Sequence, residues 1–414
     1  MMYNFGIILY GLTIRFASLF NKKARLMIKG QHATWGILKS KVKREDRYIW
    51  VHAASLGEFE QGRPLIEKIK AEHPEYKILL TFFSPSGYEV RKDYAKADII
   101  CYLPFDTLLN VLRFFLLVRP EKALFIKYEF WPNYFLYMKI LGIQLYSVSS
   151  IFRPGQIFFK NYGLIARRML TQVTHFFVQD KRSKELLAGL GMIDNVTIVG
   201  DTRFDRVKAI MQQSKSLPLV EAFVQRRLSE KENGFTLVAG SSWPKDEDLL
   251  IEYFNSHPEM RLIIAPHEIH EEHLSLIISK LTRPFARYTT CNEEEIVHAD
   301  CLIVDCFGVL SSIYRYGQVA YIGGGFGVGI HNIIEAAVYG VPVIFGPNHD
   351  KFREAKELMA MGGGHSIQNY GELSGLLDRY TTEEGAIRND GNASSNYVKA
   401  NLGATETIIS SLNL

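Results

Sequence analysis

Cysteine is scarce in this chain of 414 residues, which contains only Cys101, Cys291, Cys301 and Cys306. None of these positions shows the paired spacing of a metal-binding motif, and four scattered thiols in a chain of this length do not form a disulfide framework. The pattern is typical of a protein from a reducing compartment. We therefore assign the thiols no chemistry.

A strong excess of charge is also missing. The chain has 48 lysines and arginines against 44 aspartates and glutamates, so its formal net charge is +4. Nucleic-acid-binding proteins usually carry a much larger basic surplus, concentrated in a patch. The composition therefore gives no indication of a nucleic-acid partner.

The amino terminus lacks the features of a cleaved signal peptide. No positive charge precedes the apolar run at residues 3–20, no small-residue cleavage site follows it, and Arg15 interrupts it. A basic cluster comes next: Lys22, Lys23, Arg25, Lys29, Lys39, Lys41, Lys43 and Arg44. Basic residues beside an apolar helix favour the anionic cytoplasmic face of a membrane. We expect an interfacial or monotopic anchor, with a single-pass span and a buried helix as alternatives.

The rest of the chain alternates predicted strands with helical patterns. Strands are expected at residues 48–53, 77–83, 99–103, 123–128, 144–148, 176–179 and 196–199, and again at 235–239, 261–265, 301–304, 319–322 and 341–345. A charged, helix-rich bridge at about 205–233 separates the two series. This alternation predicts mostly parallel sheets with helices on both faces. Because the length exceeds what one core usually supports, we expect two α/β domains.

The glycine-rich stretch within residues 321–347 is the strongest indication of a ligand site. An apolar strand runs into five glycines at positions 323, 324, 325, 327 and 329, which let a backbone turn tightly beside a ligand. A helix predicted at 332–339 would offer unpaired amides to a phosphate and carry Glu335 in its first turn. The dinucleotide fingerprint places its acid after a second strand, so this position favours glycosyltransferases with two facing Rossmann-like domains. A tight turn in any α/β enzyme is the alternative.

Three strand ends in the first half carry charged candidates. Glu58 and Glu129 follow the strands predicted at 48–53 and 123–128, and ligands bind beyond the carboxyl ends of parallel strands. Either carboxylate is a candidate general base, although a glutamate in a first helical turn is commonly a cap. Arg203, near the junction of the halves, is a candidate partner for a phosphate or carboxylate, with a structural role as the alternative.

In the second half, Pro266 and His267 end a predicted strand and are expected to contact a base. The turn formed by Phe307, Gly308 and Val309 is expected to offer amides to a phosphate. Histidines 267, 270 and 273 do not form the zinc motif of two histidines four apart around a glutamate, and on one helix they would drift around its axis. The acids at 246–248 follow Pro244, which favours helix capping. No metal site is predicted.

Five motifs occur in a fixed order: HAASLGEFEQGRPLI, EFWPN, GDTRFD, APH and GGGFGVGIHNIIEAAVYGVPVIFGPNH. Together they resemble the motifs of the 3-deoxy-D-manno-octulosonic acid (Kdo) transferases. The resemblance implies an α/β glycosyltransferase of the GT-B fold, with two facing Rossmann-like domains and an amino-terminal membrane anchor helix. We expect an anchor at residues 1–21, an acceptor-binding domain at 22–205, a nucleotide-sugar-binding domain at 206–390, and a segment at 391–414 that packs back on the first domain.

The resemblance also implies an activity. The family is expected to move Kdo from CMP-Kdo to the lipid A precursor (lipid IVA) with inversion, releasing CMP, without a cofactor or bound metal. It acts on the cytoplasmic side of the inner membrane, beside anionic inner-membrane lipids. Carried onto this chain, Glu58 is the general base and Glu129 a second catalytic carboxylate. The implied donor contacts are Pro266, His267, Phe307, Gly308, Val309, Asn332, Ile333, Ile334 and Glu335, with Arg203 as the candidate partner of the sugar carboxylate.

The chain departs from the family pattern at three places. His267 and Glu268 replace an arginine and a histidine, Arg203 replaces a lysine, and Lys127 replaces an acid. Two other functions remain as alternatives. One is another lipid-directed GT-B glycosyltransferase or a nucleotide-sugar epimerase, and the second is a non-catalytic nucleotide-sugar-binding membrane scaffold. The combination of the Glu58 motif, EFWPN and a membrane anchor favours the transferase over the first alternative, and the presence of both Glu58 and Glu129 favours it over the second.

Overall fold

The computed structural model describes residues 2–213, 216–225 and 234–414. The chain divides into two compact units, the first formed by Met1–Arg206 with Leu402–Leu414 and the second by Val207–Asn401. The bridge predicted at about 205–233 contains α9 (Arg203–Gln212) and α10 (Pro218–Gln225). Its residues 214–215 and 226–233 lie outside the described part of the chain.

The first unit contains a seven-stranded parallel sheet with the order β3-β2-β1-β4-β5-β6-β7. Its strands are β1 (Arg47–Ala53), β2 (Tyr76–Phe82), β3 (Ile99–Tyr102), β4 (Lys122–Ile126), β5 (Gln144–Ser150), β6 (His175–Val178) and β7 (Val196–Ile198). Its other helices are α1 (Met2–Ala17), α2 (Lys22–Lys41), α3 (Leu56–Glu72), α4 (Pro85–Arg91), α5 (Leu108–Leu117), α6 (Pro132–Ile140), α7 (Leu164–Leu170), α8 (Lys181–Ala188) and α19 (Ala404–Ser411). The strand order reverses between β1 and β4. Open α/β sheets bind ligands beyond the carboxyl ends of the strands at such a reversal.

Alternate residues of β1 build two separate cores, one on each face of the sheet. Trp50 is fully buried among aromatic rings, with Phe114 at 4.8 Å and Phe125 at 4.9 Å between ring centroids. Val51 faces the opposite core, which also contains Phe59 of α3. Because successive strand residues point to opposite faces, helices cover both sides and β1 is held in the middle.

The second unit contains another seven-stranded parallel sheet, with the order β10-β11-β9-β8-β12-β13-β14. Its strands are β8 (Phe235–Ser242), β9 (Met260–Pro266), β10 (Phe285–Arg287), β11 (Cys301–Ile303), β12 (Val319–Ile322), β13 (Val343–Phe345) and β14 (Gly364–Ser366). Its helices include α11 (Pro244–Ser256), α12 (Glu271–Lys280), α13 (Glu293–Ile296), α14 (Leu310–Ile313), α15 (Ile334–Ala337), α16 (Arg353–Ala360), α17 (Tyr370–Thr382) and α18 (Ala386–Ala400). The prediction of two parallel α/β domains is confirmed.

The carboxyl-terminal residues return to the first unit after α18. The carboxylate of Asp205 accepts hydrogen bonds from the amides of Gly403 (2.8 Å) and Thr405 (2.6 Å) at the start of α19. Ile408 and Leu412 of this segment are buried in the same core as Phe59. The returning segment begins at Leu402, whereas the sequence placed it at 391–414.

Helix α1 packs against the first unit along one side. The Tyr3 hydroxyl donates to Asp106 at 2.7 Å, and Asn133 donates to the side chain of Asn4 at 2.7 Å. Among the described residues, no single helix has the length and hydropathy that crossing a bilayer requires. Residues 3–17 and α2 meet those criteria only as a pair, with a bend of 120° between them. The predicted anchor helix is therefore not confirmed.

Candidate active site

The first sheet brings two of the predicted catalytic residues to one edge. Strands β1 and β4 are neighbours, and Glu58 and Glu129 each lie a few residues beyond the carboxyl end of one of them. Glu58 lies in the first turn of α3, and Glu129 precedes α6. This is the edge where the strand order reverses, so both carboxylates occupy the position that ligand-binding residues take in such sheets.

Glu129 is held by the fully buried His52 and by the partly buried Trp131. His52 Nε2 lies 3.3 Å from Glu129 Oε2, and the Trp131 indole donates to the same oxygen at 2.9 Å. On the other side of the imidazole, Nδ1 lies 2.8 Å from the Thr81 hydroxyl, which accepts a hydrogen bond from the Trp50 indole at 2.8 Å. Because the Thr81 hydroxyl already accepts from Trp50, its own proton points to His52 Nδ1, and the ring proton then lies on Nε2, facing Glu129. The carboxylate is thereby fixed in orientation.

Glu58 has one hydrogen bond that also explains its place in the helix. The Ala54 amide donates to Glu58 Oε2 at 2.6 Å, the kind of contact that a capping glutamate makes. Burial raises the pKa of the Glu58 carboxyl, and the neighbouring charge of Glu129 raises it further, against the opposing effects of the Ala54 amide, His52 and Lys127. A raised pKa makes a carboxylate a stronger base. The capping and general-base roles are therefore compatible in one residue.

The backbone between β4 and Glu129 is strained at Lys127. This residue has a backbone φ of 59°, in the left-handed region that residues other than glycine rarely adopt. Its amide donates to the Val148 carbonyl at 2.8 Å, and its carbonyl accepts from the Ser150 hydroxyl at 3.0 Å. Strained residues held by their surroundings cluster at functional sites. This feature supports the choice of this sheet edge.

The residues that support Glu129 were not predicted from the sequence. His52 and Thr81 are register partners at the ends of β1 and β2, and each is a fully buried polar residue in an apolar strand. A polar residue near the end of an apolar run was the available signal. Their pairing depends on the register of β1 with β2, which the sequence pattern does not specify.

The structure gives Arg203 a partner within its own segment. Its guanidinium donates to Asp201 Oδ2 from Nε at 2.9 Å, and the Arg203 amide donates to Oδ1 at 2.9 Å. Gln61 of α3 donates to both oxygens of the same carboxylate. These contacts support the structural interpretation of Arg203, and its contact with a sugar carboxylate stays a prediction.

In the second sheet the strand order reverses between β8 and β12, and the glycine-rich turn follows β12. A Cβ atom at Gly323 would lie 2.2 Å from the Ser241 carbonyl oxygen, and one at Gly325 would lie 2.5 Å from the Gly346 amide. Gly324 has a φ of 91°. The glycines therefore let this turn pass against the ends of β8 and β13. This packing alone accounts for the glycines, so the tight-turn alternative explains them without a ligand.

Asp246 fixes the same turn from α11. Its carboxylate accepts from the Tyr321 hydroxyl (2.7 Å), the Gly324 amide (2.9 Å) and the Trp243 amide (2.9 Å). The Trp243 contact is a capping interaction, which confirms the predicted role of this residue. One buried carboxylate thus ties the start of α11 to the glycine-rich turn.

The predicted helix at 332–339 was too long. Helix α15 is confined to Ile334–Ala337, because the chain enters a turn at Val338 before Gly340. Asn332 precedes it, accepting from the Ile334 amide at 3.3 Å and donating to Glu335 Oε1 at 2.9 Å. A helix of one turn has little dipole to offer a phosphate. Since Ile333 and Ile334 are buried, a ligand would meet this segment through its backbone, Asn332 and Glu335.

Three aromatic side chains lie together at the carboxyl edge of the second sheet. The rings of Trp243 and His267 are stacked with centroids 4.7 Å apart, and those of His267 and His331 also lie 4.7 Å apart. The His267 amide donates to the Ser242 carbonyl at 2.9 Å. Burial lowers the pKa of His331, and the neighbouring His267 lowers it further. Trp243 was missed, although it lies directly before the proline that starts α11.

The remaining predicted donor contacts reach the same edge from other strands. Pro266 is the last residue of β9. The turn of Phe307, Gly308 and Val309 follows β11 and leads into α14, with Phe307 exposed and Gly308 at a φ of 89°. The second sheet therefore brings the predicted donor residues 266–267, 307–309 and 332–335 to its carboxyl edge. Whether they contact a nucleotide stays a prediction.

Comparison with known proteins shows which enzymes the chain resembles. The family model described as 3-deoxy-D-manno-octulosonic-acid transferase (kdotransferase) matches residues 29–206. The chain is 29% identical to 3-deoxy-D-manno-octulosonic acid transferase of Aquifex aeolicus over 81% of this chain and 86% of that protein. It is 26% identical to the same enzyme of Rickettsia prowazekii over 82% of this chain and 73% of that protein.

A solved structure shows the same fold without close sequence similarity. The UDP-GlcNAc 2-epimerase from Neisseria meningitidis matches with a TM-score of 0.61 and 14% identity, over 88% of this chain and 99% of that one. Two parallel α/β units with this strand arrangement place the chain in the GT-B class of proteins. Within that class, the matches to relatives and to the family model confirm the resemblance that the motifs predicted. The chain is thus similar to the Kdo transferases over most of its length.

Proposed function

We propose that this protein transfers Kdo from CMP-Kdo to the lipid A precursor in lipopolysaccharide biosynthesis. The observation that carries the proposal is the pair Glu58 and Glu129 beyond β1 and β4, where the strand order of the first sheet reverses. The names of the curated relatives support this donor sugar and reaction type. Activity is argued from the site, because one fold hosts many functions.

Glu58 is the general base of the proposed reaction. An acceptor hydroxyl attacks the anomeric carbon of Kdo and gives its proton to the Glu58 carboxylate, while the bond from that carbon to the phosphate oxygen of CMP breaks. Attack on the face opposite the leaving group inverts the anomeric centre. Burial and the charge of Glu129 raise the pKa of Glu58, which strengthens it as a base. Glu129, fixed by His52 and Trp131, supplies that charge.

The second unit holds the donor in this proposal. His267, the turn at residues 307–309, and the Asn332–Glu335 pair lie beyond the strands of its sheet, where nucleotides bind in related architectures. Asn332 offers amide hydrogen bonds, and Glu335 accepts them from a ribose diol. CMP then leaves as a phosphate monoester whose charge is met by the hydrogen-bond donors of these turns.

The decisive experiment is a transfer assay with the full-length protein. CMP-Kdo is generated in the assay, tetra-acylated lipid A precursor is the acceptor, EDTA is present, and products are resolved by mass. We expect a product heavier by one or more Kdo units, with CMP released in equal amount. If folded, membrane-associated protein yields no such product, the proposed donor or the proposed acceptor is wrong. Replacing the donor and the acceptor in turn identifies which of the two is wrong.

We also propose that α1 and α2 attach the protein to the cytoplasmic side of the inner membrane. Five apolar side chains on α1 are each more than half exposed, although the other side of the helix packs on the first unit: Phe5, Ile8, Leu9, Leu12 and Phe16. The basic residues of α2 follow within a few positions. An apolar helix face beside basic residues suits the interface of an anionic bilayer.

Vesicle flotation tests this attachment. The double variant Phe5→Ser, Phe16→Ser should lose most of its binding to vesicles that contain phosphatidylglycerol, because two large apolar side chains no longer enter the interface. Ile193→Ser, at another exposed apolar residue of the first unit, is the matched control and should float like the parent. Equal flotation of the double variant and the parent would exclude α1 as the attachment.

A further inference from the structure

The second unit contains a cluster of potential metal ligands that the proposed reaction does not use. Glu268, His270 and His273 each offer one ligand atom, and these atoms lie within 4.8 Å of one another. The spacing argument against a metal assumed that the histidines share one helix. In the structure α12 begins at Glu271, so His270 is its N-cap residue and Glu268 lies in the preceding loop. The loop geometry brings together residues that helical periodicity would separate.

His273 is prepared for metal binding by a buried carboxylate. Its side chain is 7% exposed, and Nε2 lies 2.7 Å from Oε2 of Glu247, whose side chain is 1% exposed. The Ser242 hydroxyl donates to the other oxygen of Glu247 at 3.0 Å. When Nε2–H donates a hydrogen bond to Glu247, Nδ1 carries the free lone pair and is the ligand atom of His273. Metal-binding histidines commonly have a carboxylate in this position, which fixes the ring and its tautomer.

His270 and Glu268 form the exposed side of the cluster. His270 Nε2 lies 3.3 Å from Glu268 Oε2, while its Nδ1 accepts from the His273 amide at 3.2 Å. Binding a metal through Nε2 moves the ring proton to Nδ1, so the ion takes the place of the proton shared with Glu268. The cap hydrogen bond that is given up is long for its type. The exchange gives up two hydrogen bonds, the 3.3 Å contact with Glu268 and the 3.2 Å cap, and forms metal bonds to His270 and Glu268 in their place.

We propose that Glu268, His270 and His273 bind one zinc ion. Two imidazoles and one carboxylate are a ligand set that zinc accepts, with a water or an anionic oxygen in the fourth tetrahedral position. The site adjoins the predicted donor contacts, because Ser242 bonds Glu247 through its hydroxyl and His267 through its carbonyl. Zinc binding does not depend on the proposed transfer reaction.

The test is a zinc titration of the full-length protein after treatment with a chelator and its removal. In competition with a chromophoric zinc chelator, we expect one ion per chain with a Kd in the micromolar range or below. Glu247→Gln should weaken binding by about 10- to 100-fold through the loss of its hold on His273. His270→Ala and Glu268→Gln, at exposed positions, should weaken it at least as much. His298→Ala, an exposed histidine of the same unit, is the control.

Two results would overturn the proposal. One is an affinity that His270→Ala and Glu268→Gln both leave unchanged while their circular dichroism melting curves match the parent. The other is a zinc-edge X-ray absorption spectrum dominated by sulfur, since it would place the ion at cysteine. A coordination shell of two imidazole nitrogens with oxygen donors, lost in His270→Ala, would establish the site.

Discussion

The carboxyl edges of the two sheets share one architecture, but the first is organised by hydrogen-bonded side chains and the second by closely packed backbone. At the edge of the first sheet, buried side chains form a hydrogen-bonded chain from Trp50 through Thr81 and His52 to Glu129, next to Glu58. At the edge of the second sheet, the backbone of the glycine-rich turn passes so close to its neighbours that side chains are excluded at Gly323 and Gly325.

This difference matches two chemical tasks. Proton transfer needs a carboxylate in a fixed orientation with a pKa moved towards the working pH, which requires side chains and partial burial. Holding a nucleotide needs close approach of backbone amides and flat surfaces for a base, which glycines and stacked rings supply. We therefore expect substitutions at the first edge to affect rate and those at the second edge to affect folding and donor binding.

The largest effect is expected at Glu58. Glu58→Gln should lower the transfer rate by about 10²- to 10⁴-fold, because the amide cannot accept the acceptor's proton. Binding of CMP, measured by calorimetry, should not change. Glu72→Gln, at the exposed end of the same helix, is the control and should keep the parent rate. Full transfer by Glu58→Gln would remove the distinction between the two edges.

Gly325→Ala sharpens the comparison from the other side. The new methyl group would lie 2.5 Å from the Gly346 amide, so the turn and β13 must separate. We expect a loss of about 3 kcal/mol of stability in the second unit. Gly327→Ala is the matched control, since nothing lies within 4 Å of its added Cβ. Hydrogen exchange in β12 and β13 measures the loss, and similar exchange in the two variants would contradict the packing argument.

Asp246→Asn tests the carboxylate that holds the glycine-rich turn. The amide places a donor against groups that donate to Asp246, which are the Tyr321 hydroxyl and the amides of Gly324 and Trp243. We expect a cost of about 1–3 kcal/mol in the second unit. Asp248→Asn, at an exposed ion pair with Lys280, should cost no more than about 0.5 kcal/mol in the same denaturant unfolding experiment. Equal costs would mean that Asp246 does not secure the turn.

Sequence patterns were sufficient for most of the fold because buried parallel strands are continuous apolar runs. Strands β10 (FAR) and β14 (GHS) were missed because neither is a continuous apolar run, whereas the equally short β11 (CLI) and β13 (VIF) are. The helix predicted at 332–339 was too long for a different reason. Its apolar spacing suits a helix, but Asn332 bonds the Ile334 amide and the chain turns again at Val338.

The candidate site was predictable where it depends on chain position and not where it depends on register. Glu58 and Glu129 follow from the rule that strand ends carry function, and the capping role of Asp246 follows from Pro244. The contact of His52 with Thr81 requires the pairing of β1 with β2, and the approach of Gly325 to Gly346 requires the packing of two turns. Neither pairing leaves a local signal in the sequence, although His52 and Thr81 are each recognisable as a polar residue near the end of an apolar run.

The smallest predicted effect is a change in the pH dependence of the transfer rate, which distinguishes the roles of Glu58 and Glu129. Since burial and Glu129 raise the pKa of Glu58, activity should be lost as pH falls through that raised pKa, at a higher pH than for an ordinary glutamate. Glu129→Gln removes the repelling charge, so the pKa of Glu58 should fall and the acidic limb of the rate profile should move to lower pH. Glu121→Gln, an exposed carboxylate paired with Arg47, should leave the limb in place. A limb that moves to higher pH in Glu129→Gln would show that Glu129 stabilises the ionised base and would reverse the roles assigned to the pair.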